Sequence, residues 1–167
     1  MTIRRSMILA LSMLLVLAAC GKAPVDRSAE NAIEKETGGT ADINSRDGTV
    51  HVETSEGTYD AGSNALPKDW PSDAPTYPGA EIQYSASMNP TTGKQGAMGV
   101  LQTSESAEKV MAYYKTQLQS QGWSIEGTMS AGGSTTLAAK KGARVLSLVV
   151  SDAEGKTAVT LAVGEEQ

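Results

Sequence analysis

Ser106-Ala107-Glu108-Lys109-Val110-Met111-Ala112-Tyr113-Tyr114-Lys115-Thr116-Gln117-Leu118-Gln119-Ser120-Gln121-Gly122-Trp123 is the stretch on which the fold turns. Ser106 is placed to cap a helix and Glu108 sits at its positive end. Ala107, Val110, Met111, Tyr114 and Leu118 fall at i, i+3, i+4, i+7 and i+11, a single apolar face. Gly122 suits the left-handed position just past the end, which lets Trp123 fold back on the last turn. A helix with one apolar stripe needs one surface to bury it.

The flanking sequence supplies that surface as strands. Upstream, Glu81 to Met88 and Ala97 to Thr103 flank a turn-rich loop, Asn89-Pro90-Thr91-Thr92-Gly93. Downstream, Ser124 to Met129, Ser134 to Lys140, Arg144 to Ser151 and Thr157 to Val163 are separated by short turns at Lys141-Gly142 and Glu154-Gly155-Lys156. Turns this short join antiparallel neighbours. The fold class expected is therefore α+β: an antiparallel β-sheet with one main amphipathic helix packed on it.

Residues 28 to 62 read as an annex, a short helix followed by a small β-meander. Ser28 to Glu36 begins with a capping serine and ends before Gly38-Gly39, with a thin stripe of Ala29, Ala32 and Ile33. Ile43, Val50 and Val52 then alternate with polar residues around the turns Asp47-Gly48 and Glu56-Gly57. Residues 63 to 80 hold four prolines within Leu66 to Ala80, so they form an extended strut with Leu66, Trp70 and Tyr77 turned inward. Residues 81 to 164 make the core domain and 165 to 167 a tail.

The segment from Met1 to Arg27 carries an address. Arg4 and Arg5 precede an apolar run from Met7 to Ala19, shorter than the roughly 20 residues of a membrane span and of signal-peptide length. The end of that run, Leu17-Ala18-Ala19-Cys20-Gly21, resembles the lipobox of bacterial lipoproteins. The resemblance covers Met1 to Gly21 and implies cleavage of the signal peptide 1–19, with lipidation of Cys20. Residues 20 to 27 would be a lipidated tether, with Gly21 to Arg27 reaching about 23 Å at ~3.3 Å per residue. Several acyl chains hold a protein stably, at about 0.8 kcal/mol per buried CH₂. The membrane, through the lipid on Cys20, is the expected partner. Gly21 after the cysteine implies the outer membrane, periplasmic side, or the outer face where a cell has a single membrane.

Cleavage removes two of the 14 basic residues and none of the 19 acidic ones, so the formal charge moves from −5 to −7. So acidic a chain is a poor binder of nucleic acid, which demands phosphate neutralisation. The chain has one cysteine, and its lipidation leaves neither free thiol nor disulfide, so the fold rests on its packed core.

The motif Leu-Pro-x-x-Trp-Pro-x-x-x-Pro-x-Tyr-Pro-Gly-Ala over residues 66–80, the helix with Tyr113-Tyr114, and Gly122-Trp123 together resemble a group of bacterial lipoproteins of unassigned activity. The resemblance spans residues 28 to 163. It supports the architecture and implies no catalytic residue.

Catalytic and cofactor chemistry find little purchase. His51 is the only histidine, and its alternation with Val50 and Val52 points it away from their face, towards solvent. One histidine without a free thiol argues against a metal site. Ser106-x-x-Lys109 matches a penicillin-binding nucleophile motif, but the companion motifs are missing and capping accounts for the serine. Gly155-Lys156-Thr157 lacks the earlier glycine and the following helix of a phosphate loop. Asp69 and Asp73 flank prolines on the strut, where solvation explains them. Lys140, Lys141 and Arg144 form a basic cluster at a hairpin tip that could meet anionic headgroups, although a solubilising turn is the simpler explanation. The expectation is a non-enzymatic, lipid-anchored module that binds a protein partner or supports an assembly, without cofactor or metal. A small-ligand binder is the alternative, requiring an apolar pocket between helix and sheet; a hydrolase is a remote third.

Overall fold

The computed structural model describes residues 23–88, 95–153 and 155–166. The signal segment, Cys20 and the loop 89–94 lie outside the described residues. In chain order the elements are α1 (Pro24–Thr37), β1 (Thr40–Asn44), β2 (Thr49–Thr54), β3 (Gly57–Ala61), β4 (Glu81–Met88), β5 (Gly96–Thr103), α2 (Ala107–Ser120), β6 (Ser124–Ala131), β7 (Ser134–Lys141), β8 (Arg144–Ala153) and β9 (Lys156–Glu165).

All nine strands form one antiparallel sheet in the order β1-β2-β3-β4-β5-β9-β8-β7-β6. The expected α+β division into a core sheet and a separate small meander is therefore corrected: the described residues are mostly sheet, with two helices among them, and the meander continues the main sheet. The reason is a full register between β3 and β4, from Gly57↔Met88 to Ala61↔Tyr84. Asn64 helps close that join by accepting a hydrogen bond from the Ile82 N–H at 2.7 Å. Gly57 is required there, because a Cβ would collide with the Ser87 carbonyl oxygen.

α2 begins where Ser106 accepts from the Lys109 N–H. It ends as expected, with Gly122 left-handed at φ 82° and the Trp123 N–H bonded to the Leu118 carbonyl. The helix carries the chain from β5 at the middle of the sheet to β6 at its edge, and it packs over β6 and β8. Its buried residues Val110, Tyr114 and Leu118 join Leu137, Leu148 and Leu161 of the sheet in one core, all with 0% exposure. At about 25 cal/mol per Å², burial of this kind supplies the main stabilisation.

The strut lies on the same face and completes the layer. Leu66 and Trp70 rest on Gly99 of β5, within 3.4 Å of where its Cβ would stand. The Tyr113 hydroxyl donates to the Thr76 carbonyl at 2.8 Å, the Tyr77 N–H donates to the Tyr114 hydroxyl at 3.1 Å, and the Trp123 indole donates to the Asp73 carbonyl at 2.7 Å. Leu66, Trp70 and Tyr77 thus turn inward as the sequence indicates.

α1 works differently. It starts at Pro24, ahead of the expected Ser28, and its buried residues are Asp26 and Glu30 rather than the apolar stripe. Asp26, Glu30 and Glu34 accept from the backbone N–H groups of Ser45, Ile43 and Ala41 at 3.4, 2.8 and 3.2 Å. Carboxylates four residues apart rise about 6 Å along a helix. Outward N–H groups two residues apart recur every ~6.8 Å along a strand. The two repeats match, so α1 occupies the donors of the edge strand β1 and closes that edge to further pairing.

Candidate functional site

One face of the sheet is filled by α2 and the strut; the other has no covering element among the described residues. An antiparallel sheet with one solvated face ordinarily makes it polar. Here the register aligns a row of small or apolar residues across seven strands of the open face. Tyr59 pairs with Ala86, Ala86 with Met98, Met98 with Ala162, Ala162 with Ser147, Ser147 with Ala138, and Ala138 with Gly127. The next row towards one end passes through Met88, Gly96, Gly164, Val145 and Lys140. Larger side chains, Tyr59, Tyr84, Met88 and Val145, stand around this floor of alanine, glycine and serine. The result is a groove of about 700 Å³.

The groove is apolar in its middle and polar at one end. There the Lys140 ammonium donates to the Glu166 carboxylate at 2.6 Å, with Glu126 also lining the wall. That pairing raises the Lys140 pKa, the Glu166 hydrogen bond being the largest cause. Burial pushes the Tyr84 phenol up as well. Both groups are thus kept in their ordinary neutral-pH forms, an ammonium and an uncharged phenol. The site can hold an elongated apolar body with a polar group at one end.

A second hollow, of about 480 Å³, lies under the strut on the other face and contains His51. His51 Nδ1 is 2.6 Å from Asp60 Oδ1, and the imidazole is 48% exposed. It does leave the Val50–Val52 face, but it has an orienting acid that sequence reasoning missed. The signal was available: the two-residue turn Ser55-Glu56 fixes the β2–β3 register that sets His51 opposite Asp60.

Other singled-out residues prove structural. Asp73, assigned to solvent on the strut, binds the Lys141 ammonium at 2.6 Å and both terminal nitrogens of Arg144, one at 3.0 Å. The Arg144 hydrogen bond, with Lys141 assisting, holds the Asp73 carboxyl down at about 2. Arg144 also lies over the Trp123 ring at 5.1 Å. The basic cluster of Lys140, Lys141 and Arg144 is thus occupied by carboxylates of this chain. Asp69 lines the hollow beside His51, and Ser106 caps α2. Cys20 lies outside the described residues. Among those residues no group of three potential ligands could hold a metal ion, and no helix is long and apolar enough to cross a membrane.

A family model described as START domain-like matches residues 83–156, from β4 to the start of β9. Domains of that kind are generally ligand-binding. The match covers less than half of the chain and leaves out α1 and β1–β3. Comparison with curated proteins gave no match, and comparison with solved structures gave none. The matched segment holds the helix laid across the meander, a helix-grip-like arrangement, and it contributes Tyr84, Met98, Ala138 and Ser147 to the groove.

Proposed function

We propose that this chain is a lipid-anchored protein of the bacterial cell envelope that binds an elongated apolar ligand in the groove on the open face of its sheet. The observation that carries this reading is the groove of about 700 Å³, floored by small residues and walled by tyrosine, methionine and valine. Its size is within the usual range for small-molecule sites, about 300–1,000 Å³. The START domain-like match supports a ligand-binding role in general terms. Between helix and sheet the centre of the layer is taken up by the buried side chains of one core, and the hollow beside the first turns of α2, at about 400 Å³, is smaller than the groove on the open face. Ligand binding therefore moves to the opposite face and takes precedence over the protein-docking reading. The role is one of binding rather than catalysis.

The anchor is the other half of the proposal. The lipobox-like Leu17-Ala18-Ala19-Cys20 supports a lipid on Cys20, and α1 starts shortly afterwards at Pro24. Together they would hold the sheet within a short distance of the bilayer, at high local concentration relative to membrane-derived ligands.

Each half has its own test. A fluorescent fatty acid titrated into the protein is expected to bind saturably, and Ala162→Trp, which fills the centre of the floor, is expected to weaken binding at least tenfold without unfolding the sheet. Equal affinity in both proteins would refute the groove. Cys20→Ser is expected to leave the protein unprocessed and unlabelled by radioactive palmitate; unchanged processing and labelling would refute the anchor.

A further inference from the structure

The two edges of the sheet are treated in opposite ways. β1 has its outward N–H groups occupied by the carboxylates of α1. β6 has no such cover: every residue from Glu126 to Ala131 is exposed, Met129 at 69%. Among the described residues no side chain bonds to the outer backbone groups of β6; Ser130 instead meets Thr135 of the neighbouring strand at 2.9 Å. Edge strands of stable proteins usually carry a charge or a proline to discourage pairing. Gly127 to Ala139, which spans most of β6 and β7, contains neither.

We propose that β6 pairs antiparallel with β6 of a second copy of this chain, about a two-fold axis through Met129. Gly132-Gly133 is a two-residue turn with both φ positive, so Ala131 and Ser134 form the bonded pair next to it. Bonded positions then alternate, and the free N–H and C=O groups of Thr128 and Ser130 point outward. These two residues flank Met129 symmetrically, so Thr128 of one copy faces Ser130 of the other. The irregularity between Ile125 and Gly127 ends the pairing on one side and the turn ends it on the other.

Three features select a second copy as the occupant. The chain is acidic, at −5 overall, and the uncharged stretch from Gly127 to Ala139 lets two such chains meet without like charges across the seam. Because β1 is closed, sheet extension stops at two copies rather than running on as a filament. Met129 shares the open face with Val149 through the Met129↔Thr136↔Val149 register, so pairing covers it with its twin and joins the two grooves on one continuous face.

The seam runs only from Gly127 to Ala131 and is smaller than a standard interface of about 1,600 Å², so the dimer is concentration-dependent. Sedimentation velocity of the full chain in detergent should show the mass doubling as concentration rises into the hundreds of micromolar. Thr128→Lys places a charge on each side of the seam, and Ser130→Pro removes an outward N–H without removing a ladder bond. Each should weaken association at least tenfold with an unchanged circular dichroism spectrum. Under mild oxidation Met129→Cys should cross-link between copies, well above the parent chain and above Ser63→Cys. A monomer at every concentration, dimers insensitive to both edge variants, or equal cross-linking at positions 129 and 63 would overturn the proposal.

Discussion

The two faces of this sheet are built from the same strands, and neighbouring residues belong to opposite worlds. In β8, Leu146, Leu148 and Val150 are buried against α2, while Val145, Ser147 and Val149 look out from the open face. The covered face packs large residues into one core, with smaller hollows left under the strut and beside α2. The open face also avoids charge along its middle, yet it alternates small floor residues with large rims and leaves a groove. A solvated face built for solubility alone would be polar. Exposed apolar patches on monomers usually mark a binding function, and the difference between the faces separates stabilisation from function.

Adjacent residues of β8 give the sharpest way to break that comparison. Leu148→Ala is expected to cost about 2–5 kcal/mol, since it empties a fully buried site under α2. Val149→Ala, one residue away on the half-exposed face, should cost less than about 1 kcal/mol. Chemical denaturation of both variants measures the contrast, and comparable losses would erase the distinction between faces.

Tyr114→Phe comes next in size. Its hydroxyl accepts from the buried Tyr77 N–H, and burial raises the phenol pKa, so the group stays neutral. Removing the oxygen leaves that N–H without a partner, at a cost of about 1–3 kcal/mol. Ligand affinity in the groove should not change, because Tyr114 belongs to the covered face.

The smallest effect belongs to Asp73, which ties the strut to β7 and β8. Its carboxyl is lowered from 3.8 to about 2, mainly by Arg144. A depressed acid contributes stability that is fully present above the unfolded value and is lost as pH falls through the folded one. The contribution should therefore hold from neutrality to about pH 4 and fade between about pH 4 and pH 2. Solvent access limits it to about 1 kcal/mol. Thermal melts of Asp73→Asn should lie below those of the parent at pH 7 and converge with them near pH 2.

Much of the covered face was legible in the sequence, because its signals are local. The stripe from Ala107 to Leu118, the cap at Ser106 and the reversal at Gly122-Trp123 belong to one continuous stretch, and the strands after it end close to their expected bounds. The strut was equally plain, since proline restricts backbone geometry wherever it stands. The single sheet was not legible: the β3–β4 pairing bridges the whole connection from Gly62 to Ala80, and nothing local fixes its register. The groove was hidden for the same reason. Ala86, Met98, Ala162, Ser147 and Ala138 read as unremarkable residues until long-range pairing places them in one row. α1 misled in another way, because its buried side consists of carboxylates bonded to a strand edge, which hydrophobic periodicity does not register.

The most direct test of the central claim is photolabelling with a diazirine-bearing fatty acid, followed by peptide mapping of the full-length protein. Binding in the groove predicts saturable labels on Met88, Met98 and Val145 of the open face, suppressed by Ala162→Trp. Labels on α2 and on Leu148 or Val159 beneath it, or labelling that never saturates, would contradict the account.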